Sequence, residues 1–150
     1  KPFSKLGQTT LFRFKVGAQT YLLEDFQKDP QGIAERFQFE QHYVTKSVRG
    51  GVRFWPNAWV KHYRVHCLPG YLGRYFRPAA LPKGARVIAF PGEPNPADAL
   101  VGQWTHGAPV SAKTHFLNLF YPERRVHKSW RGHLCCFQKP CPFVQLHWRE

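Results

Sequence analysis

The sequence has few acidic residues, no methionine and no long apolar run. Nine Asp and Glu stand against 22 Lys and Arg in 150 residues, which gives a formal net charge of +13. Such a charge attracts polyanions, namely nucleic acid, anionic lipid or phosphorylated sugars. The charge alone does not indicate which of these the protein binds. Met is missing even at position 1, so we expect a fragment or a processed chain. No apolar run reaches the roughly 18 residues that a membrane-spanning helix needs.

Several catalytic motifs are also absent. The chain contains no Gly-x-Ser-x-Gly, no P-loop and no GxGxxG. Hydrolase, nucleotide triphosphatase and dinucleotide-binding functions therefore have no motif to support them. The three aspartates, Asp25, Asp29 and Asp98, form no Asp-x-Asp pair that could hold a divalent metal beside a nucleotide diphosphate.

The four cysteines do not form a recognisable framework. Three of them, Cys135, Cys136 and Cys141, crowd into the last 16 residues, while Cys67 stands apart. CxxC pairs are absent, and the spacing of the nearby histidines matches no standard zinc site. We therefore expect reduced cysteines in a cytoplasmic protein and no metal site in this chain.

The most informative stretch runs from Arg86 to Trp104. The apolar run 87–90 predicts a buried strand of an α/β sheet, and the Gly/Pro-rich segment 91–94 ends it. Asn95 suits an N-cap and Pro96 the first helical position, so a helix is predicted from Pro96 to about Val101. A strand, a glycine turn and a helix N-terminus can receive an anion such as a diphosphate. The alternative is an ordinary strand-to-helix turn.

The other segments predict a mixed α/β domain. Alternation predicts strands at 11–16, 52–55 and 59–63, and apolar spacing predicts helices from Tyr21 and from the cap at Asp29-Pro30. Residues 68–85 read as a long irregular connection. From Thr105 onward the chain is basic without a clear period, and we expect a tail laid over the domain.

Two further patterns indicate binding chemistry. Glu40 and Gln41 are an acid next to an amide on a helix; they could bind a sugar hydroxyl, and a glutamate can act as a base. The alternative is a solvent-facing turn of helix. Trp59 and Lys61 lie in a segment where rings alternate with cations, which suits stacking on a sugar or base beside phosphate. A strand with one solvent-exposed face explains this alternation equally well.

An ordered set of segments carries a resemblance to a known family. The segments follow one another along the chain as FRF (12–14), FEQHYV (39–44), RFWP (53–56), WV (59–60) and ARVIAFPG (85–92). A further segment, HWR (147–149), lies near the end of the sequence. This order resembles the C-terminal half of bacterial glycosyltransferases of the nucleotide-diphospho-sugar type. The resemblance covers residues 10–105.

The resemblance implies a fold and a division of the chain. The fold would be α/β, a partial GT-A-like mixed sheet with flanking helices and an irregular basic C-terminal tail. Residues 1–104 would be the C-terminal portion of the glycosyltransferase-like domain, and residues 105–150 a basic, aromatic-rich tail packed on it. A preceding nucleotide-binding half would carry the metal-binding Asp-x-Asp, so the isolated chain would be inactive.

The resemblance also implies an activity. The complete enzyme would move a sugar from a nucleotide-sugar donor to a cell-surface glycan precursor, a glycan or lipid-linked acceptor, with Mn or Mg as its divalent metal. Glu40 would be catalytic. The substrate-binding residues would be Gln41, Trp59, Lys61, Gly92 and Asn95, with Glu40 and Gln41 in the same cleft as Gly92. The protein would be cytoplasmic, with the anionic surface of the inner membrane as a peripheral partner.

A basic, non-catalytic nucleic-acid-binding module is the alternative. The net charge of +13 and the interleaved aromatic residues favour it. The absence of a nucleic-acid-binding motif and of a focused basic helix makes nucleic acid the weaker choice of partner.

Overall fold

The computed structural model describes residues 7, 10–104 and 111–147. The chain divides into two compact units, Lys1–Trp55 and Pro56–Glu150. Residues on both sides of position 104 belong to the second unit. None of the helices in the described residues is both long and apolar enough to cross a membrane.

The first unit is helical. Its helices are α1 (Thr20–Lys28), α2 (Pro30–Arg36) and α3 (Glu40–Ser47). The predicted start of α2 is confirmed, because the Asp29 carboxylate accepts a hydrogen bond from the Gly32 N–H at 2.9 Å and Pro30 occupies the first turn. Ile33 is buried among the aromatic residues of this unit.

The strands predicted at 11–16 and 52–55 are wrong. Both segments are extended or turn-like, and no residue of either pairs in a sheet. Phe12, Phe14 and Val16 are exposed, and Gly17 ends the first segment with a φ of +79°. Alternation predicts a strand only where a partner strand satisfies the backbone N–H and C=O groups, and the described part of this unit offers none.

The second unit contains a small parallel sheet. Strands β1 (Val60–His62) and β2 (Val87–Ala89) pair in the register Val60↔Val87, Lys61↔Ile88 and His62↔Ala89. The predicted mixed α/β class is confirmed. In the described residues, however, the sheet has two strands and is purely parallel rather than mixed. The predicted strand 59–63 shortens to β1, because a π-helical turn begins at Tyr63 and runs to Cys67.

Strand β2 is not the interior strand that its apolar run predicts. Val87 is 37% exposed, Ile88 is half-buried and only Ala89 of the three is buried. Within the described ranges β2 has a strand neighbour on one side alone. One edge and part of one face therefore stay open to solvent.

The core of this unit joins distant parts of the chain. Its buried members are Tyr63, Cys67, Ala79, Ala99, Cys141 and Val144. The Tyr63 ring stacks on Phe90 with 4.4 Å between the ring centroids. The Cys141 N–H donates to the Ala99 carbonyl at 2.9 Å, which ties residues beyond 104 to the helix that follows β2.

The described part of the predicted irregular tail is helical instead, which corrects that expectation. It forms α5 (Ala112–Asn118), a 3-10 turn (Pro122–Arg124), α6 (Trp130–Cys135) and α7 (Pro142–His147). Ser111 and Ser129 accept hydrogen bonds from backbone N–H groups at the starts of α5 and α6. Helices this short show little periodicity, so their caps are the signal that sequence analysis missed.

Between the strands, residues 68–85 are irregular as predicted, apart from a 3-10 turn at Gly73–Tyr75. Helix α4 (Pro96–Val101) follows β2 with the predicted bounds. Gly102 ends it with a φ of +76°, a conformation that glycine adopts without strain.

Candidate functional site

Glu40 borders an open groove in the first unit. The groove has a volume of about 520 Å³ and lies among side chains of residues 22–43. Glu40 is the first residue of α3, where the helix dipole favours a carboxylate, and its side chain is exposed. Gln41 is half-buried and does not line the groove.

The groove is mainly apolar and aromatic. Its lining comprises Leu22, Leu23, Phe26, Ile33, Ala34, Phe37, Gln38, Phe39, Glu40 and Tyr43. The Tyr43 hydroxyl donates to the Leu22 carbonyl at 2.7 Å, and its ring meets Phe37 edge-on at 5.4 Å. Burial, with the nearby Asp25 carboxylate, raises the pKa of Tyr43. The groove thus combines aromatic faces with one carboxylate, which suits the apolar face and a hydroxyl of a sugar ring.

Trp59 directly precedes β1 and is 39% exposed. Its carbonyl accepts hydrogen bonds from the N–H groups of Arg86, at 2.8 Å, and Val87, at 2.9 Å. The Arg86 guanidinium lies 4.8 Å from the centroid of the indole ring, within cation–π range. Lys61 is half-buried at the centre of β1, in register with Ile88.

Gly92 and Asn95 lie in the turn after β2. Gly92 is exposed and has a φ of +76°, and a side chain built on it would meet only open space. The Asn95 side chain accepts from the Asp98 N–H at 2.9 Å, while the Asp98 carboxylate accepts from the Asn95 N–H at 3.0 Å. This capping box already satisfies two N–H groups at the start of α4 and adds a negative charge there.

The predicted site residues fall in separate places. Glu40 and Gln41 belong to the first unit and the other four to the second, so the expected common cleft of Glu40 and Gly92 stays a prediction. Within the second unit, Trp59 precedes β1, and Gly92 follows β2. Because the strands are parallel, these two residues lie toward opposite ends of the sheet, separated by strands about 10 Å long.

A cluster at the carboxyl ends of the strands was not predicted. Arg64 lies in the π-helical turn after β1, Arg74 lies in the 3-10 turn, and both guanidinium groups lie over the ring of Trp104. The three residues are far apart in the sequence and share no motif. Only the packing of the long connection against the strand ends brings them together.

The described residues provide no set of metal ligands. Nowhere in residues 7, 10–104 and 111–147 do three or more His, Cys, Asp or Glu side chains group as they would around an ion.

Comparison of the chain with known protein families, with curated proteins and with solved structures finds no match.

Proposed function

We propose that this chain is part of a glycosyltransferase with a partial GT-A-like fold, which moves a sugar from a nucleotide-sugar to a cell-surface glycan precursor. The order of the segments from 12–14 to 85–92 supports it, as does one observation on the fold. Strands β1 and β2 are parallel, and the exposed Gly92 turn follows the carboxyl end of β2. Ligands of open α/β sheets bind outside the carboxyl ends of the strands.

The second unit would supply donor and acceptor contacts. The exposed Gly92 turn leaves room for a diphosphate to approach the backbone, since no side chain stands there. Asn95 holds this turn against α4 through its capping hydrogen bonds. Trp59, which is 39% exposed and in contact with the Arg86 guanidinium, would present part of its indole ring to a sugar, and Lys61 would present a cation to a phosphate or hydroxyl of the acceptor.

Glu40 would be the catalytic base. An acceptor hydroxyl attacks the anomeric carbon of the donor sugar, a new C–O bond forms and the nucleoside diphosphate leaves. The proton released by the hydroxyl passes to the Glu40 carboxylate. The aromatic groove beside Glu40 would exclude water around the acceptor, and Gln41 would contact a sugar hydroxyl.

Saturation-transfer NMR on the complete enzyme with a panel of nucleotide-sugars tests donor recognition, because the nucleotide-binding half would precede this chain. We expect saturation of the donor protons in wild type, and weaker saturation of the protons of a glycan acceptor in Trp59→Ala than in wild type. Failure of every nucleotide-sugar in the panel to bind would contradict the proposal.

Turnover in the complete enzyme tests the base. Glu40→Gln should lower kcat more than it weakens donor binding, because the carboxylate acts in the transition state. Glu24→Gln, at an exposed position of α1 outside the groove lining, is the matched control. Equal kcat values in the two variants would exclude Glu40 as the base.

One observation favours a nucleic-acid-binding module as a second candidate. Residues 56–150 hold thirteen Lys and Arg against four Asp and Glu. In the described part of that unit, the one ion pair between side chains is that of Arg124 with Glu123, at 3.9 Å. It offsets only a small part of the positive charge. Tight binding of a single-stranded oligonucleotide with a steep salt dependence, without binding of any nucleotide-sugar, would favour the module over the transferase.

A further inference from the structure

Two arginines share one indole ring in the second unit. The Arg64 Cζ lies 5.3 Å from the centroid of Trp104, and the Arg74 Cζ lies 5.4 Å from it. Trp104 is only 8% exposed, so its ring is a fixed surface under the two guanidinium groups. Both contacts fall within the range of cation–π attraction.

The two arginines are not neutralised by acidic side chains. In the described ranges neither guanidinium forms an ion pair with a carboxylate. Burial lowers the pKa of Arg74, and the positive charge of Arg64 lowers it further. Two like charges close together raise each other's free energy, and a bound anion would relieve this repulsion.

Arg74 is held in place before any ligand arrives. Its Nε donates to the Pro69 carbonyl at 3.0 Å and its Nη1 to the Cys135 carbonyl. A guanidinium has five N–H donors, and hydrogen bonds to the described residues use two of those of Arg74. Arg64 is exposed at the end of β1 and can approach the same ligand from the solvent side.

The carboxylate of Glu93 lies near the two arginines and allows their role in binding an anion to be tested. Partial burial, and then the neighbouring Cys135, raise the pKa of the half-buried Cys136 thiol. Arg64 and Arg74 act to lower this pKa, and Glu93, in the turn after β2, acts to raise it. Glu93, Arg64 and Arg74 therefore share one neighbourhood around Cys136. A negative charge there would oppose binding of an anion at the arginines.

We propose that Arg64 and Arg74, on the ring of Trp104, form a binding site for a diphosphate-bearing ligand at the carboxyl ends of β1 and β2. The planar fork of a guanidinium matches two phosphate oxygens at once, and two such forks match the multiple charges of a diphosphate. The inference goes beyond the proposed function, because capture of a diphosphate by these arginines requires no sugar transfer.

Titration calorimetry with inorganic pyrophosphate tests the site, with orthophosphate as the comparison ligand. Wild type should bind pyrophosphate more tightly than orthophosphate. Arg64→Gln should weaken pyrophosphate binding about tenfold, the loss of one charge-assisted contact. Arg77→Gln is the matched control, since Arg77 is exposed in the same connection and does not contact the Trp104 ring in the described structure.

Two further variants keep the test decisive. Glu93→Gln should tighten pyrophosphate binding, because it removes the opposing charge. Arg74→Lys keeps the charge but removes the fork, so it should weaken binding; if this variant fails to fold, the exposed Arg64 still decides the outcome. Equal weakening in Arg64→Gln and Arg77→Gln, or no weakening in either, would overturn the proposed site.

The same titrations separate this inference from the proposed function. Binding of pyrophosphate through Arg64 in this chain, together with no binding of any nucleotide-sugar by the complete enzyme, would support the site and contradict the transferase. Nucleotide-sugar and pyrophosphate binding that are both unchanged in Arg64→Gln would overturn the site alone.

Discussion

The imidazole rings of His115 and His133 stack face to face inside the second unit. Their centroids are 4.0 Å apart and their planes differ by 4°. The His133 Nδ1 accepts from the Val126 N–H at 3.0 Å, so its Nε2 carries the proton and donates to the His115 carbonyl at 2.8 Å. His115 Nδ1 lies 2.7 Å from the Tyr75 hydroxyl. Both rings are buried, and burial penalises a positive charge on His115.

Stability should therefore fall in mild acid. Burial, and then the neighbouring His133, lower the pKa of His115 from 6.5 to about 4. As the pH falls from 6.5 toward 4, His115 becomes protonated in the unfolded chain but stays neutral in the folded chain. The folded state then loses on the order of 2–3 kcal/mol. Urea unfolding at pH 7.5, 6.0 and 5.0 measures this loss.

A substitution identifies the group responsible. His115→Gln should flatten the pH dependence of the free energy of unfolding, because it removes the group that titrates. His147→Gln, at an exposed position of α7, should leave the slope unchanged. An equally steep slope in the His115 variant would assign the effect to other groups.

A buried hydrogen bond links the core to the segment before α7. The Tyr63 hydroxyl donates to the Gln138 Oε1 at 2.7 Å, and both side chains are almost fully buried. Tyr63→Phe leaves this oxygen without its donor, so we expect a loss of about 1–3 kcal/mol in the free energy of unfolding. Tyr71→Phe, at an exposed tyrosine, should be nearly neutral. Similar midpoints in denaturant for the two variants would refute the expectation.

The two faces of β2 should respond differently to truncation. Ile88 packs against the core of the second unit, whereas Val87 is partly exposed on the open side of the strand. Ile88→Ala should cost about 2 kcal/mol and Val87→Ala less than about 1 kcal/mol, since only the first opens space in the core. Chemical denaturation of both variants checks the order, and a larger loss for Val87 would contradict the observed packing.

Binding to anionic surfaces should depend strongly on salt. After Trp104 the chain carries seven Lys and Arg against two Glu. Raising the salt from 0.1 M to 1 M shortens the electrostatic reach from about 10 Å to about 3 Å. Co-sedimentation with anionic vesicles should therefore drop across this range, with neutral vesicles as the control. Retention that does not change with salt would indicate a contact that is not electrostatic.

Local sequence determined where several helices begin. Asp29-Pro30 and Asn95-Pro96 each combine a side chain that caps the first turn with a proline whose fixed φ suits that turn, and both helices start there. These signals work because donor, acceptor and backbone all lie within three residues of one another. Residues 87–89, by contrast, become a strand through pairing with residues 60–62, which are distant in the sequence.

Tertiary structure decided what depends on distant partners. Residues 11–16 alternate as well as a strand does, yet they form none, since a strand exists only where another backbone satisfies its hydrogen bonds. The exposure of Val87 depends on how many neighbours β2 has. The arginine pair on Trp104 likewise required residues 64, 74 and 104 to meet. No local pattern predicts such a meeting, because it depends on the packing of a long irregular connection against the ends of two strands.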